Sequence, residues 1–226
     1  MTEARAAPAS LAPSRLGSRD VPATAALLAR AFDADPFARE IMPTPEARRR
    51  YNEIVAASHV RAALPFGHVF GVHDAAGLLG VAIWHPPSVS PGSLTETATA
   101  VLHLLPTTPT ALTAMPRLAS RLALPPSAVP RLAIRRWAAI RSVTRSPSWH
   151  LAYLATDPAS QGQGIGRRLL DHMLTRFDLD GSGVWLETTD PVNPPIYERF
   201  GFATVARIDT SPRLPTLWVM HRPPAG

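Results

Sequence analysis

The stretch WHLAYLATDPASQGQGIGRRLLDHMLTRF, Trp149–Phe177, decides the fold of this chain. Its apolar run Leu151–Ala155 predicts a strand, which the turn pair Asp157-Pro158 ends. A loop with three glycines follows, and the apolar side chains at helical spacing within Ile165–Phe177 predict an amphipathic helix. A glycine-rich loop that leads into a helix leaves backbone N–H groups free beside the positive end of the helix dipole. Such a loop is suited to hold phosphate oxygens.

Three kinds of phosphate-binding loop compete for this pattern. A Walker loop requires a lysine, and the chain has none, because all 23 of its Lys and Arg residues are arginine. A dinucleotide-binding loop requires further parallel strand–helix units, whereas this loop lies late in the chain. The pyrophosphate loop of acyl-CoA-dependent N-acetyltransferases follows a strand and has Gln or Arg, then Gly three residues on, then Gly or Ala. Gln161, Gly164 and Gly166 match that pattern at every defined position.

A second motif lies in VWLETTDPVNPPIYERFGF, Val184–Phe202. It predicts a strand at Val184–Thr189, a proline-broken loop and a short helix, and Gly201 suits the left-handed position that ends a helix. In this segment the chain resembles the GNAT superfamily of N-acetyltransferases. The last helix of that superfamily reads N…YxxxGF, and the matching residues here are Asn193, Tyr197, Gly201 and Phe202.

Within the superfamily the chain is most similar to the puromycin N-acetyltransferase group. The similar stretches are SRDVPATAALLARAFDADP at 18–36, GVAIWHPP at 80–87, the two motifs above and TLWVMHRPP at 216–224. The similarity covers nearly the whole chain apart from residues 95–145. It implies an α/β (α+β) fold of the GNAT type: a mixed, mostly antiparallel central sheet, splayed at two strands, with flanking helices and a helical insertion.

The remaining sequence predicts the elements around these motifs in the order β-α-α-β-β, a helical stretch, then β-α-β-α-β-β. Before the motifs we expect a strand at Arg15–Gly17, a helix that Asp20 caps and Asp35-Pro36 ends, a helix at Pro45–Ala63, and a hairpin of strands Gly67–His73 and Leu78–Trp84. Helical patterns at 96–105, 111–123 and 129–142 belong to an acceptor-side segment of about 95–145. We expect residues 1–14 to be a flexible tail and 15–226 to be one N-acetyltransferase domain.

Composition excludes several other classes of protein. With 46% hydrophobic residues and a mean hydropathy of +0.01 the chain is not disordered, and no apolar run approaches a membrane span. The N-terminus lacks a signal sequence, so we expect a cytoplasmic protein. Zero cysteines exclude disulfides and a cysteine nucleophile, and no metal site is predicted. The net charge of +6 comes from scattered arginines, which argues against nucleic-acid binding but attracts an anionic cofactor.

The resemblance implies acetyl-CoA as cofactor, with its pantetheine arm between the two splayed strands. A backbone N–H at the end of the first motif strand would lie near the thioester oxygen and contribute about 2–4 kcal/mol to the transition state. An ordinary buried strand is the alternative for this segment. The residues expected to bind acetyl-CoA are Leu154, Ala155, Thr156, Gln161, Gly162, Gln163, Gly164, Ile165, Gly166, Arg167 and Asn193.

Two residues are the candidates for catalysis. From the resemblance, Tyr197 is the general acid that protonates the departing thiolate, although it could instead be a packing residue. Glu187 on the second motif strand is the preferred base for the amine, with His150, Tyr153 or water as alternatives. Strand alternation predicts that Tyr153 shares a face with Trp149 and points away from His150. Asn193 precedes two prolines and could equally be a helix N-cap.

Apolar and aromatic residues at the ends of helices and strands suit a bulky, partly aromatic amine. The predicted substrate-binding residues are Phe32, Phe37, Trp84, His85, Trp149 and Tyr153. The expected function is transfer of an acetyl group to a primary amine of a small molecule, and the resemblance implies antibiotic or secondary-metabolite detoxification. The alternatives are a protein N-terminal or lysine acetyltransferase and a catalytically silent acyl-CoA-binding module. We expect a monomer or homodimer without nucleic-acid or membrane partners.

Overall fold

The computed structural model describes residues 11–41, 44–88, 138–142, 147–209 and 215–225. Within these ranges the predicted order of the strands is confirmed, and the helices follow the predicted order except for one additional helix between the first two predicted ones. The predicted helices at 96–105 and 111–123, and most of the one at 129–142, lie outside the described residues. Residues 138–142 are helical, in agreement with the last of these patterns.

The centre of the described part is a seven-stranded sheet with the order β1-β2-β3-β4-β5-β7-β6. Strands β4 and β5 are parallel, and every other neighbouring pair is antiparallel. The predicted mixed, mostly antiparallel sheet is therefore confirmed. The strands are β1 Ser14–Arg15, β2 Val69–His73, β3 Leu78–His85, β4 Ser148–Thr156, β5 Gly183–Thr188, β6 Ala203–Ile208 and β7 Leu217–Arg222.

Five α-helices have defined bounds in the described residues: α1 Val21–Ala31, α2 Pro36–Ile41, α3 Pro45–Ala63, α4 Ile165–Leu179 and α5 Asn193–Glu198. Helix α2 was not predicted, because Asp35-Pro36 reads as a stop. The Asp35 carboxylate instead accepts a hydrogen bond from the Ala38 N–H (2.8 Å), and Pro36 is well placed as a first helical residue. Asp20 occupies the predicted N-cap position of α1, but its carboxylate forms no cap hydrogen bond with that helix and accepts instead from the Gly17 N–H (2.7 Å).

Helices cover both faces of the sheet. Helix α4 packs on one face, where its buried side chains join those of β3, β4, β5 and β7 in one apolar cluster. Helices α1 and α3 cover the other face over β2, β3 and β4. The helical residues Ala139 and Ile140 extend that cover over Trp185 on β5 and Val219 on β7. Since both faces of the central strands are covered, these strands carry apolar runs rather than a polar alternation, whereas the edge strands β1 and β6 are mostly exposed.

Strands β4 and β5 separate partway along their length. Their parallel pairing runs from Ser148 opposite Gly183 to Leu151 opposite Leu186 and stops there. Beyond that point β4 continues to pair with β3 on its other edge, up to Thr156 opposite Gly80. One edge of β4 therefore faces a gap toward β5, as the resemblance implies for a splayed sheet.

A β-bulge lies in β4 at the start of this gap. The register against β3 shifts so that Ile83 is opposite Tyr153, whereas Trp84 is opposite Leu151. An extra residue reverses the alternation of side chains beyond it. Tyr153 accordingly packs on the α1 and α3 face and Trp149 on the α4 face, so the prediction that they share a face is wrong.

No helix among the described residues is both long enough and apolar enough to cross a membrane.

Candidate active site

The glycine-rich loop lies at the end of β4 and opens α4. Gly162 (φ 78°) and Gly164 (φ 75°) both adopt left-handed conformations that favour glycine. Apart from its neighbours in the chain, a Cβ atom at either position would meet no atom of the described residues within 4 Å, so the described part of the protein leaves the space beside the loop open. Gly164 is the N-cap of α4 and offers no side chain to satisfy the first N–H groups of that helix. Open space, unshielded N–H groups and the helix dipole together fit a phosphate group.

The gap between β4 and β5 begins directly upstream of this loop. On one edge, the last residues of β4 pair with β3; these residues are Leu154, Ala155 and Thr156. On the opposite edge they have no partner in β5, because the pairing with β5 stops at Leu151. Backbone groups at such an edge can form hydrogen bonds with an inserted extended chain. The gap and the loop are continuous along the chain, which fits a ligand with an extended arm joined to a diphosphate.

Helix α5 is attached to the end of β5 by a side-chain contact. The Asn193 amide donates from Nδ2 to Oγ1 of Thr188, with 2.8 Å between the two atoms. Asn193 is the first helical residue, Val192 is the N-cap, and no side chain forms a cap hydrogen bond. The alternative that Asn193 is an ordinary N-cap is therefore wrong. Its side chain instead links the start of α5 to the last residue of β5.

Tyr197 lies one helical turn further along α5 and is half-buried against the α4-side core. Its ring meets that of Phe202 edge-on at 5.7 Å. Burial raises the pKa of the Tyr197 phenol above its usual range, so the hydroxyl keeps its proton throughout the neutral pH range. The Tyr197 hydroxyl can therefore donate a hydrogen bond, as the role of general acid requires. The contact of its ring with Phe202 also agrees with the alternative, in which Tyr197 is a packing residue.

The three side chains predicted as possible bases lie on one face of the sheet. Glu187 alternates with Leu186, which packs toward α4, and so faces the same side as Trp185. The His150 ring stacks on Trp185 with centroids 3.8 Å apart. The bulge in β4 brings Tyr153 to this face as well.

Tyr153 also contacts a residue that the sequence did not indicate. Its hydroxyl lies 3.2 Å from Nδ1 of His59 on α3, and the same nitrogen lies 2.8 Å from the Val55 carbonyl oxygen. The carbonyl can only accept, so His59 carries a proton on Nδ1 in this arrangement. The Phe32 ring meets Tyr153 edge-on at 5.8 Å. The sequence did not predict this contact, because His59 lies within a long helix and belongs to no pattern that relates it to β4.

The other predicted substrate-binding residues divide between the two faces. Trp84 is 0% exposed and packs against Phe177 of α4, so it is a core residue and its predicted role in the cleft is wrong. Trp149 stacks on the same phenylalanine, with centroids 4.7 Å apart, and lies away from Tyr153. His85 lies beside His150 with rings 5.7 Å apart, and Phe37 on α2 is exposed.

One ion pair and one hydrogen bond hold the turn between α1 and α2. Arg48 on α3 is buried and donates to the Asp33 carboxylate (3.1 Å). Thr189, just past β5, donates from Oγ1 to Asp35 (3.2 Å). The turn is thus attached to α3 and to the end of β5. Among the described residues no group of three or more His, Cys, Asp or Glu side chains could hold a metal ion.

Part of the chain, including the glycine loop and helix α5, is similar to known acetyltransferases. Residues 133–204 match the acetyltransferase (GNAT) domain family. Over 55 residues the chain is 38% identical to an uncharacterized N-acetyltransferase of Schizosaccharomyces pombe, a match that covers 24% of this chain and 22% of that protein. The matched segment therefore represents about a fifth of that relative.

Solved structures extend the similarity to most of the chain at the level of the fold. A structure from Corynebacterium glutamicum, described as histone acetyltransferase HPA2 and related acetyltransferase, has 21% identity and a TM-score of 0.62, covering 95% of this chain and 97% of that one. The polyamine N-acetyltransferase of Drosophila melanogaster has 14% identity and a TM-score of 0.62, covering 93% and 98%. Arylalkylamine N-acetyltransferase 2 of Aedes aegypti has 12% identity and a TM-score of 0.58, covering 93% and 97%. The chain thus has the fold of these acetyltransferases, and its residues 133–204 match the acetyltransferase (GNAT) domain family.

Proposed function

We propose that this protein is an N-acetyltransferase that uses acetyl-CoA to acetylate a primary amine of a small molecule. The observation that carries the proposal is the continuity of the β4–β5 gap with the open glycine loop at the start of α4. A cofactor with an extended arm and a diphosphate requires both features side by side. We further propose that residues 15–226 form one catalytic domain, cytoplasmic and either monomeric or homodimeric.

Acetyl-CoA supplies an activated acetyl group as a thioester. The N–H groups of Gln161–Arg167 would hold its diphosphate, because they lie at the positive end of α4 beside unfilled space. The free edge of Leu154–Thr156 would hydrogen-bond its arm, and one N–H of that edge would stabilise the oxyanion. Asn193 is proposed to support the arm through its position at the end of β5.

Tyr197 is the proposed proton donor to the departing thiolate. A thiol has an ordinary pKa below that of a phenol, and burial raises the pKa of Tyr197 further. Full proton transfer is therefore uphill, and a hydrogen bond that stabilises the thiolate is the larger part of its contribution. The packing of Tyr197 against Phe202 fixes the direction of that bond.

Glu187 is the proposed base for the amine, since it lies on the face opposite α4 at the strand end next to the gap. His150 and Tyr153 share that face and are the alternatives, together with water. A base is needed because an ammonium group has no lone pair with which to attack.

The proposed acceptor site lies where the α1–α2 turn passes the open ends of β4 and β5. Phe32 and Tyr153 form its aromatic wall, with Phe37 and His85 on neighbouring elements. Similar folds in enzymes named for polyamines and arylalkylamines support a small amine as acceptor. The likeness to the puromycin N-acetyltransferase group favours an antibiotic or secondary metabolite, which would make antibiotic resistance the biological role.

A thiol-release assay with acetyl-CoA tests this proposal against a panel of amines that includes arylalkylamines, polyamines, aminonucleosides and peptides. We expect thiol release that depends on a small amine. Release with peptides alone would indicate a protein acetyltransferase instead. Tight acetyl-CoA binding without release for any amine would indicate a catalytically silent module.

A further inference from the structure

Asp157, the residue between β4 and the glycine loop, contacts helix α1, which packs on the sheet face opposite α4. Arg30, in the last turn of α1, donates from Nε (3.0 Å) and Nη2 (2.5 Å) to the same carboxylate oxygen of Asp157. Asp157 directly follows β4 and is the N-cap of the short turn Pro158–Ser160. The Arg30 side chain is 51% exposed and that of Asp157 17% exposed, so this contact lies at the rim of the candidate site.

Asp157 is also held through its other polar groups. Its second carboxylate oxygen accepts from the Ala159 N–H (3.0 Å), and its own N–H donates to the Leu79 carbonyl (2.8 Å) on β3. Its carbonyl accepts from the Ser160 N–H (2.8 Å). The residue thus connects β3, the turn and α1 at the point where the loop leaves the sheet. The exposed segment Gln161–Gly164 begins immediately after the short turn Pro158–Ser160.

We propose that Arg30 is a positioning residue for the cofactor: by holding the Asp157 carboxylate, it fixes the direction in which the loop leaves β4. The N–H groups of Gln161–Arg167 can bind a diphosphate only if they converge on one point, so a change of direction at Asp157 displaces all of them together. This inference rests on the proposed function, because it assumes that the loop binds the diphosphate of acetyl-CoA.

A direct contact between Arg30 and a phosphate is the competing explanation. The geometry favours positioning, because two of the guanidinium N–H groups are committed to Asp157. The two explanations differ in what the loss of Asp157 does. If Arg30 acts through Asp157, removal of either partner has the same effect. If Arg30 binds phosphate, removal of the Asp157 charge leaves the guanidinium available and binding is retained.

The contact also has a defined pH dependence. The hydrogen bond from Arg30 holds the pKa of the Asp157 carboxyl below its usual range, and the bond from Ala159 acts in the same direction. The carboxylate is the form that holds Arg30. The Arg30–Asp157 contact is therefore fully formed at and above the ordinary pKa of a carboxyl group. It is lost as the pH falls through the lowered pKa of Asp157. Without Arg30 the pKa rises and protonation begins at a higher pH.

The experiment compares Arg30→Gln, Asp157→Asn and the double variant with the wild-type chain. Calorimetry measures the Kd of acetyl-CoA at several pH values, and thermal unfolding checks that each variant folds. Arg176→Gln is the matched control, since it removes an exposed arginine–aspartate pair (3.9 Å to Asp180) elsewhere, on α4. We expect each single variant to raise the Kd about 5- to 20-fold, and the double variant no further, because either change breaks the same contact.

The acid loss of affinity that follows protonation of Asp157 in the wild type should be absent from Arg30→Gln, which has no Arg30–Asp157 contact left to lose, and the control should match the wild type. A Kd for Arg30→Gln within about twofold of the wild-type value overturns the inference. Weak binding by Arg30→Gln with normal binding by Asp157→Asn overturns it in favour of a direct phosphate contact. A wild-type chain that binds no acetyl-CoA overturns the proposed function as well.

Discussion

The substitution Gly164→Val tests the glycine loop as the diphosphate site. Gly164 has φ 75°, and a Cβ atom there would meet no atom of the described residues within 4 Å other than those of its chain neighbours. The substitution has two effects. Placing a side chain in the left-handed region destabilises the fold by about 1–2 kcal/mol. The valine methyl groups would also occupy the space that a phosphate must enter. Loss of one charge-assisted hydrogen bond, worth about 1.5–3 kcal/mol, raises the Kd roughly 10- to 150-fold.

A control on the same helix separates these two effects. Gly181 follows the C-terminus of α4 and has φ 60°, and a Cβ atom there would likewise meet none of the described residues within 4 Å beyond its chain neighbours. Gly181→Val should therefore lower stability by a similar amount while leaving acetyl-CoA affinity unchanged. The assay is calorimetry with acetyl-CoA, alongside thermal unfolding of both variants. Unchanged affinity in Gly164→Val would refute the assignment of the loop, and an equal loss in Gly181→Val would show that strain alone explains the result.

Three further predictions concern chemistry and stability. Tyr197→Phe should lower kcat by about 10²–10⁴ with cofactor binding retained, measured by thiol release and calorimetry; loss of both would mean that Tyr197 only packs. Glu187→Gln should flatten the rise of kcat with pH for strongly basic amines and matter less for weakly basic ones; a defect confined to KM at every pH would exclude it as base. Arg222 contacts the Asp178 carboxylate (2.6 Å) and donates to the Phe200 carbonyl (2.9 Å). The hydrogen bond from Arg222 lowers the pKa of Asp178, so the Arg222–Asp178 contact stabilises the fold at neutral pH. That stabilisation should be lost as the pH falls through the lowered pKa of Asp178. Thermal unfolding across acid pH checks this, and Arg222→Met should be destabilised by about 1–3 kcal/mol near neutral pH and lack that acid dependence.

Local sequence signals were sufficient for most of the fold. The strand–loop–helix unit from Leu151 to Phe177 and the helix ended by Gly201 form as predicted, because periodicity, turn residues and glycines act within a few residues of one another. The strand predicted from Val184 begins one residue earlier, at Gly183. Helix α2 was missed because Asp35-Pro36 can either end one helix or begin the next.

The features that the sequence did not reveal depend on contacts between distant segments. The bulge that turns Tyr153 is defined by pairing with β3, about 70 residues earlier in the chain, and periodicity within β4 alone does not show it. The faces of Trp84 and Trp149 were not predictable, because helices bury both sides of the sheet and apolar residues suit either. His59 and Arg30 reach β4 and its loop from other helices, and neither belongs to a motif.

The central claim is that this chain transfers an acetyl group from acetyl-CoA to the nitrogen of a small amine. The most direct measurement uses acetyl-CoA labelled in the acetyl group, together with the amine that gives the most thiol release. We predict that the label appears on the nitrogen of that amine with the wild-type chain, and only slowly with Tyr197→Phe. Label that stays on CoA, or that appears only as free acetate, would contradict the account.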